Sequence, residues 1–228
     1  MTWLQVADGV YARRHEELDL TTGLVVGDGA CLVIDTTGDH VQGAALAAAV
    51  REITPHPWQV VLTHAHFDHC YGTSAFLPCE VWAHEDFQID PAEKALWATK
   101  YRTDGKPELA TAIEASDLVA PTRSFSARAE PDIGRTVVLH HFGPGHSFND
   151  TVVHVPDAGV VFAGDLVEQP GFVEESFGDG DPARWPAALD ALLALDPAIV
   201  VPGHGSPVGP DFVAAQRDVL IAGWTSAR

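Results

Sequence analysis

Apolar and polar positions alternate in short runs over the first 35 residues. Trp3 to Ala7 and Val10 to Arg14 are β-prone segments separated by Asp8-Gly9, a hairpin signal. Thr21 to Val26 and Ala30 to Ile34 form a second pair across Gly27-Asp28-Gly29. That second pair is almost wholly apolar, which predicts strands buried on both faces. The period then changes. His40 to Ile53 is alanine-rich, with apolar residues spaced as on one face of a helix. Thr54-Pro55-His56-Pro57 breaks it, and the apolar run 58–62 (Trp58-Gln59-Val60-Val61-Leu62) predicts a buried strand.

The second half repeats the theme. Thr136 to Phe142, Thr151 to Val155 and Val160 to Ala163 read as strands, the last pair joined by a turn at Pro156-Asp157-Ala158-Gly159. Pro182 to Leu195 reads as an amphipathic helix, Ala198 to Val201 as a strand and Asp211 to Trp224 as a closing helix. Two halves, each β-rich and then α, predict an α/β fold of the αββα sandwich kind in one domain covering 1–228. Residues 85–130 fit this scheme least. Pro91 to Tyr101 and Pro107 to Ser116 predict two helices that each start near a proline, and we expect a helical insert capping the site.

The candidate chemistry lies where the strand 58–62 ends. His64-Ala65-His66-Phe67-Asp68-His69 places four potential metal ligands in six residues. Histidine is 12 of 228 residues in the whole chain, so three in six is a marked concentration. His64, His66 and Asp68 are spaced by two and would share a face of an extended chain, whereas His69 needs a turn to join them. Loops beyond strand ends are where α/β sheets place their sites. Three further ligand types stand beside glycine: Gly145-His146, Gly164-Asp165 and Gly203-His204-Gly205. Asp35, at the end of an apolar strand, reads as a turn or hydrogen-bonding residue and Cys70 as packing. His15, His40, His56, His84, His140, His141 and His154 read as ordinary histidines.

The pattern His-x-His-x-Asp-His after an apolar strand, followed in order by His146, Asp165 and His204, resembles the metallo-β-lactamase superfamily from about Val10 to Val208. The resemblance implies the four-layer αββα fold and a site for two Zn2+. His64, His66 and His146 would hold one ion, Asp68, His69 and His204 the other, and Asp165 would bridge them. A water of pKa ~15.7 drops to ~7 on zinc, about 12 kcal/mol of hydroxide stabilisation. The implied activity is hydrolysis of an ester, thioester, lactone or amide carbonyl of a small molecule, with Asp68 orienting the nucleophile or passing a proton. Phe67, Tyr71, Phe148 and Asn149 are expected to line the substrate pocket.

Other members of the superfamily fit less well. Dedicated β-lactamases of two subclasses place a cysteine where this chain has Asp165, which leaves weak β-lactamase activity as an alternative. Glyoxalase II-like thioesterases carry a helical C-terminal domain, and 24 residues follow His204 here. Persulfide dioxygenase-like members use a single Fe2+, and the full second ligand set argues against that. Flavodiiron-type members have glutamate at the position of His66. A non-catalytic sensing module is disfavoured by the intact ligand set.

Composition narrows the partners. The net charge of −19 opposes a nucleic-acid backbone. The absence of an 18-residue apolar run predicts no membrane span. Three scattered cysteines and no signal-like start predict a cytoplasmic protein with reduced thiols.

Overall fold

The computed structural model describes residues 2–172, 176 and 178–223. It contains two β-sheets. The first has seven strands in sequence order: β1 (Leu4–Ala7), β2 (Val10–Arg14), β3 (Thr21–Val26), β4 (Cys31–Ile34), β5 (Trp58–Val61), β6 (Val81–His84) and β7 (Arg123–Phe125). β1 to β4 pair antiparallel through the two predicted hairpins. β4 to β7 are parallel. Parallel neighbours need crossovers, and the helix α1 (His40–Ile53) supplies the one between β4 and β5. Its N-terminus is closed by Asp39, whose carboxylate accepts from the backbone N–H groups of Val41 and Gln42 at 2.8 Å each.

The second sheet runs β12-β11-β10-β9-β8, with β8 (Arg128–Ala129), β9 (Val138–His140), β10 (Val152–Val155), β11 (Val160–Glu168) and β12 (Ile199–His204). β11 and β12 are parallel and the rest antiparallel. The crossover between β11 and β12 carries α5 (Trp185–Leu193), and α6 (Pro210–Ile221) follows β12.

Three apolar cores separate the layers and show the αββα order. One, around Val33, Leu46, Val50 and Leu62, lies between the first sheet and its helices. The middle one joins the sheets through Val25, Ile34, Val61, Leu139, Val153 and Phe162. The third packs Val161, Val200, Trp185, Leu189 and Leu192 between the second sheet and α5 and α6. Trp185 is wholly buried and its indole N–H donates to Leu166 O at 3.0 Å. Removing an aromatic ring from such a core typically costs about 3–5 kcal/mol.

The region after β6 holds α3 (Pro91–Thr103) and α4 (Pro107–Ala115). The helical part ends at Ala115, because β7 and β8 within 123–129 are edge strands of the first and second sheets. The strand expected at 136–142 is shorter, and β11 runs further than its apolar stretch suggested, through Asp165 to Glu168. Irregular register between β11 and β12 at Gly164 and again before Glu168 bends that extension over the sheet edge. The closing helix stops at Ile221, and Trp224 lies outside the described residues. Among the described residues no helix is long and apolar enough to cross a membrane.

Candidate metal centre

The seven ligand candidates meet at one edge of the two sheets. They form two groups, one of His64, His66, His146 and Asp165 and the other of Asp68, His69 and His204, with the ligand atoms of each group within 4.8 Å of one another. β5 delivers His64 and His66 as the chain leaves the sheet. A short helical turn, α2 (Phe67–Cys70), then carries Asp68 and His69. The expectation that Asp68 continues the extended face of His64 and His66 is therefore corrected. The chain turns at Phe67, closing Tyr71 N to Phe67 O at 3.0 Å, and the turn sends Asp68 and His69 together to the second group.

The first group is a cluster of imidazoles. His66 Nδ1 lies 3.0 Å from His64 Nε2 and 2.9 Å from His146 Nε2. Nitrogens bound at 2.0–2.1 Å around a tetrahedral ion stand about 3.3 Å apart, so this spacing fits a ligand set. Burial keeps His64 well below the usual histidine range and lowers His146 to about 4. Both are thus neutral rings with a lone pair to give.

The second group is charged. Asp68 Oδ2 lies 3.4 Å from His204 Nε2 and 3.7 Å from His69 Nε2. Asp165 stands between the groups: Oδ2 is 3.5 Å from His146 Nε2, 3.7 Å from His64 Nε2 and 3.2 Å from His204 Nε2, and Oδ1 is 3.2 Å from His69 Nε2. Burial alone would lower His69 and His204. Asp165 and Asp68 outweigh it in both, helped by Asp35 at His69, so His69 is held well above the usual range and His204 at about 9. Burial likewise opposes ionisation of Asp165, but His204, His69 and His64 hold it well below the usual carboxylate range. Such a site calls for positive charge. His69 Nε2 and Asp165 Oδ1 are also buried with no hydrogen-bond partner, the pattern of atoms turned toward a cation. The donor set fits a pair of divalent ions.

Four of the five rings have a hydrogen-bond partner behind them. His69 Nδ1 donates to Asp35 Oδ2 at 2.8 Å. The same carboxylate accepts Thr63 N and Thr63 Oγ1, both at 2.8 Å, and Thr63 Oγ1 is 3.0 Å from His64 Nδ1. Asp35 is thus the turn and hydrogen-bonding residue read from the sequence, with φ of 60°. His66 Nε2 donates to Asp179 Oδ1 at 3.2 Å, and His204 Nδ1 donates to Leu18 O at 2.8 Å. His146 Nδ1 faces Glu168 Oε1 at 3.7 Å. The loop carrying His146 is tied by Asp150, which accepts from Gly145 N, Ser147 N and Ser147 Oγ. Glycine is required beside the ligands for close approach: a Cβ on Gly203 would stand 1.8 Å from Asp165 Oδ1.

Sequence reasoning missed Asp150, Glu168 and Asp179. Each is an isolated acid in a chain with 32 aspartates and glutamates, so neither spacing nor local composition marks it. The expected pocket residues divide. Phe148 is exposed beside His146 and Asn149 is buried next to it. Tyr71 is wholly buried in the core beneath the first sheet's helices, which corrects its expected place in the pocket; the α2 turn aims it inward. Phe67 is buried too, stacked on Trp97 of α3 with ring centroids 4.2 Å apart. With Asp68, Leu18, Leu20 and Tyr101 it walls a small crevice under the helical insert. His84 stays out of the cluster, stacked on His141 and bonded to Ser126 O.

Comparison with known proteins agrees with this geometry. Residues 18–204 match the family model of the metallo-beta-lactamase superfamily. A linear primary-alkylsulfatase from a Pseudomonas strain is 25% identical over 78% of this chain and 40% of its own. An acyl-coenzyme A thioesterase from Gallus gallus is 27% identical over 66% of this chain and 58% of its own. The chain thus spans about half the length of these curated relatives. In fold it is similar to a metallo-beta-lactamase from Pseudomonas aeruginosa solved in a mono-zinc form, with TM-score 0.72, 21% identity and coverage of 97% of this chain and 95% of that one. The chain belongs to the metallo-beta-lactamase superfamily.

Proposed function

We propose that the chain is a binuclear zinc-dependent hydrolase acting on an ester, thioester, lactone or amide carbonyl of a small molecule. The observation that carries this reading is the pair of adjoining ligand groups with Asp165 reaching both. His64, His66 and His146 would hold one ion, Asp68, His69 and His204 the other, and Asp165 would bridge. When bound, the ions supply an ionised water at neutral pH and polarise the carbonyl. The chain's own residues do the rest. Asp165 and Asp68 would balance the charge, and the partners behind His64, His66, His69 and His204 hold those rings on target. Asp68 also has a carboxylate at the pocket, suited to orienting the attacking water and to carrying its proton to the leaving group. Phe148, exposed in the loop that carries His146, and Asn149 beside it would meet the substrate.

Charge supports a substrate without a strongly anionic group. No lysine or arginine occurs between Arg51 and Lys94, between Arg135 and Arg184, or between Arg184 and Arg217, and all seven ligands fall in those intervals. Asp179, half exposed, adds a carboxylate at His66. Nothing in those segments offers the guanidinium or ammonium clamp that a sulfate, phosphate or carboxylate tail would need. A neutral ester, thioester or lactone fits better than a sulfate ester.

The test is metal analysis of the purified protein together with turnover on matched esters, thioesters, lactones and a β-lactam. Two zinc ions per chain with carbonyl hydrolysis is the expected result. One iron with oxygen uptake, or full metal with no hydrolysis of any of the panel, would overturn the proposal.

A further inference from the structure

Residues 15–20 connect two parts of the molecule that lie far apart in sequence: the ligand His204 and the helical insert. At one end the connection is to the backbone around His204. Leu18 O accepts His204 Nδ1 at 2.8 Å, and Asp19 O accepts Gly205 N at 2.9 Å. Thr21 Oγ1 donates to Gly205 O at 2.6 Å, and Leu20 forms an isolated bridge with His204. Arg14 reinforces this end, binding both carboxylate oxygens of Asp19 and donating to Ser206 Oγ at 2.7 Å.

At the other end Glu17 reaches the insert. Its carboxylate accepts from Tyr101 Oη of α3 at 3.0 Å and from Lys106 Nζ, at the start of α4, at 2.9 Å. Between the two ends the backbone is strained. Leu18 and Asp19 are consecutive non-glycine residues with φ of 56° and 55°. L-residues avoid this region, and two in succession persist only where the surroundings impose them. Packing does not impose them at Leu18, whose side chain is 43% exposed. The hairpin between β2 and β3 does, through His15 N to Leu20 O at 2.8 Å and Leu20 N to Glu17 O at 3.3 Å, and the contacts at the two ends hold that turn in place.

We propose that residues 15–20 are a strap that aims His204 at the second metal position, and that Glu17 is a positioning residue tying that aim to the insert. This rests on the binuclear reading above. The carbonyl that fixes the His204 ring belongs to Leu18, in the hairpin turn, and the Glu17 and Arg14 contacts hold that turn against the insert and the loop after His204. The insert also touches the other ligand loop through Trp97 on Phe67, between His66 and Asp68. A substrate seated under α3 and α4 therefore meets an element mechanically joined to the ligands on both sides.

The test is competitive zinc titration against a chelator, with the cobalt-substituted spectrum reporting the second site. Wild type is compared with His204→Ala, Glu17→Ala, Glu17→Gln, Lys106→Met and, as a control, Arg102→Met, which breaks the exposed pair with Glu114 away from the strap. Glu17→Ala should weaken the second equivalent about tenfold, as loss of a partner behind a ligand does, and leave the first unchanged. Lys106→Met should weaken it less. Glu17→Gln, which still accepts from Tyr101, should recover most of the loss, and Arg102→Met should match wild type. Second-site affinity and cobalt spectrum unchanged in Glu17→Ala, while His204→Ala loses the second ion, would overturn the strap and leave the binuclear reading standing. A wild type that binds no second equivalent, or a His204→Ala that keeps it, would overturn both.

Discussion

The two ligand groups share one sequence motif but are held in opposite ways. His64, His66 and His146 pack against one another edge to face, with ring centroids 4.6 to 4.8 Å apart. Burial leaves His64 and His146 neutral. That group is organised largely from within. Asp68, His69 and His204 are organised from outside, by Asp35 behind His69 and by Leu18 O behind His204. The difference teaches that damage to a supporting residue should reach the second metal position before the first. Damage to a ligand of the first group should empty the site.

His66→Ala tests the stronger half of that statement and carries the largest expected effect. His66 Nδ1 is the atom on which both His64 and His146 converge, so its loss removes the centre of the first group. Zinc content should fall below one per chain and hydrolysis by about 10³-fold or more. Two zinc ions retained in the variant would refute the assignment of His66 as a ligand.

Asp35→Asn comes next and should separate the groups. The carboxylate is buried and accepts from Thr63 twice and from His69 once. An amide keeps the shape but loses the charge and one acceptor. Second-site affinity should fall about 10–100-fold. The first site should change less, because Asp35 reaches His64 only through Thr63. Equal losses at both sites would show that the two groups are not held independently.

How much of this was legible in the sequence follows the same division. The first group is a local motif plus one glycine-flanked histidine, and the resemblance carried by those residues brought them together. Helix α1 was legible from its alanine-rich apolar face and from the Thr54-Pro55 that follows it. The supports of the second group were not. Leu18 acts through a backbone carbonyl, which no side chain advertises. The helical turn that brings Asp68 to His204 depends on long-range pairing such as Thr36 N to His69 O. The apolar run that marks β11 ends at Ala163, so the bent continuation through Asp165 to Glu168 had no period to reveal it. Asp35 was readable as a turn residue, but its partners were not, since Thr63 and His69 are 28 and 34 positions away.

Gly203→Ala gives a smaller effect that reaches both groups through Asp165. The added methyl would meet Asp165 Oδ1 and the backbone of Gly164 at 2.8 Å, neither of which is a flexible chain end. β12 must shift, at a cost of about 1–3 kcal/mol in stability. Thermal unfolding measures that cost, and zinc titration should show both equivalents weakened together. Selective loss of one would mean that Asp165 serves a single ion.

The smallest effect concerns the strap itself. His15 N donates to Leu20 O at 2.8 Å and its Nε2 lies 3.0 Å from Thr22 Oγ1, so the ring sits at the root of the segment that holds His204. Burial, with a smaller contribution from Arg13, lowers its pKa to about 4. In the unfolded chain the same ring titrates near 6.5. Between those values the unfolded state binds the proton and the folded state does not, so stability is full above about pH 6.5 and falls as the pH drops toward 4. Between pH 7 and pH 5 the loss should be about 1–2 kcal/mol, allowing for partial exposure of the ring. His15→Gln should remove that share of the acid sensitivity. Denaturant unfolding of the metal-free proteins at the two pH values isolates the term from the ligand histidines, which are common to both. Identical pH slopes would mean that His15 is solvated in the folded state and that the root of the strap is looser than its hydrogen bonds indicate.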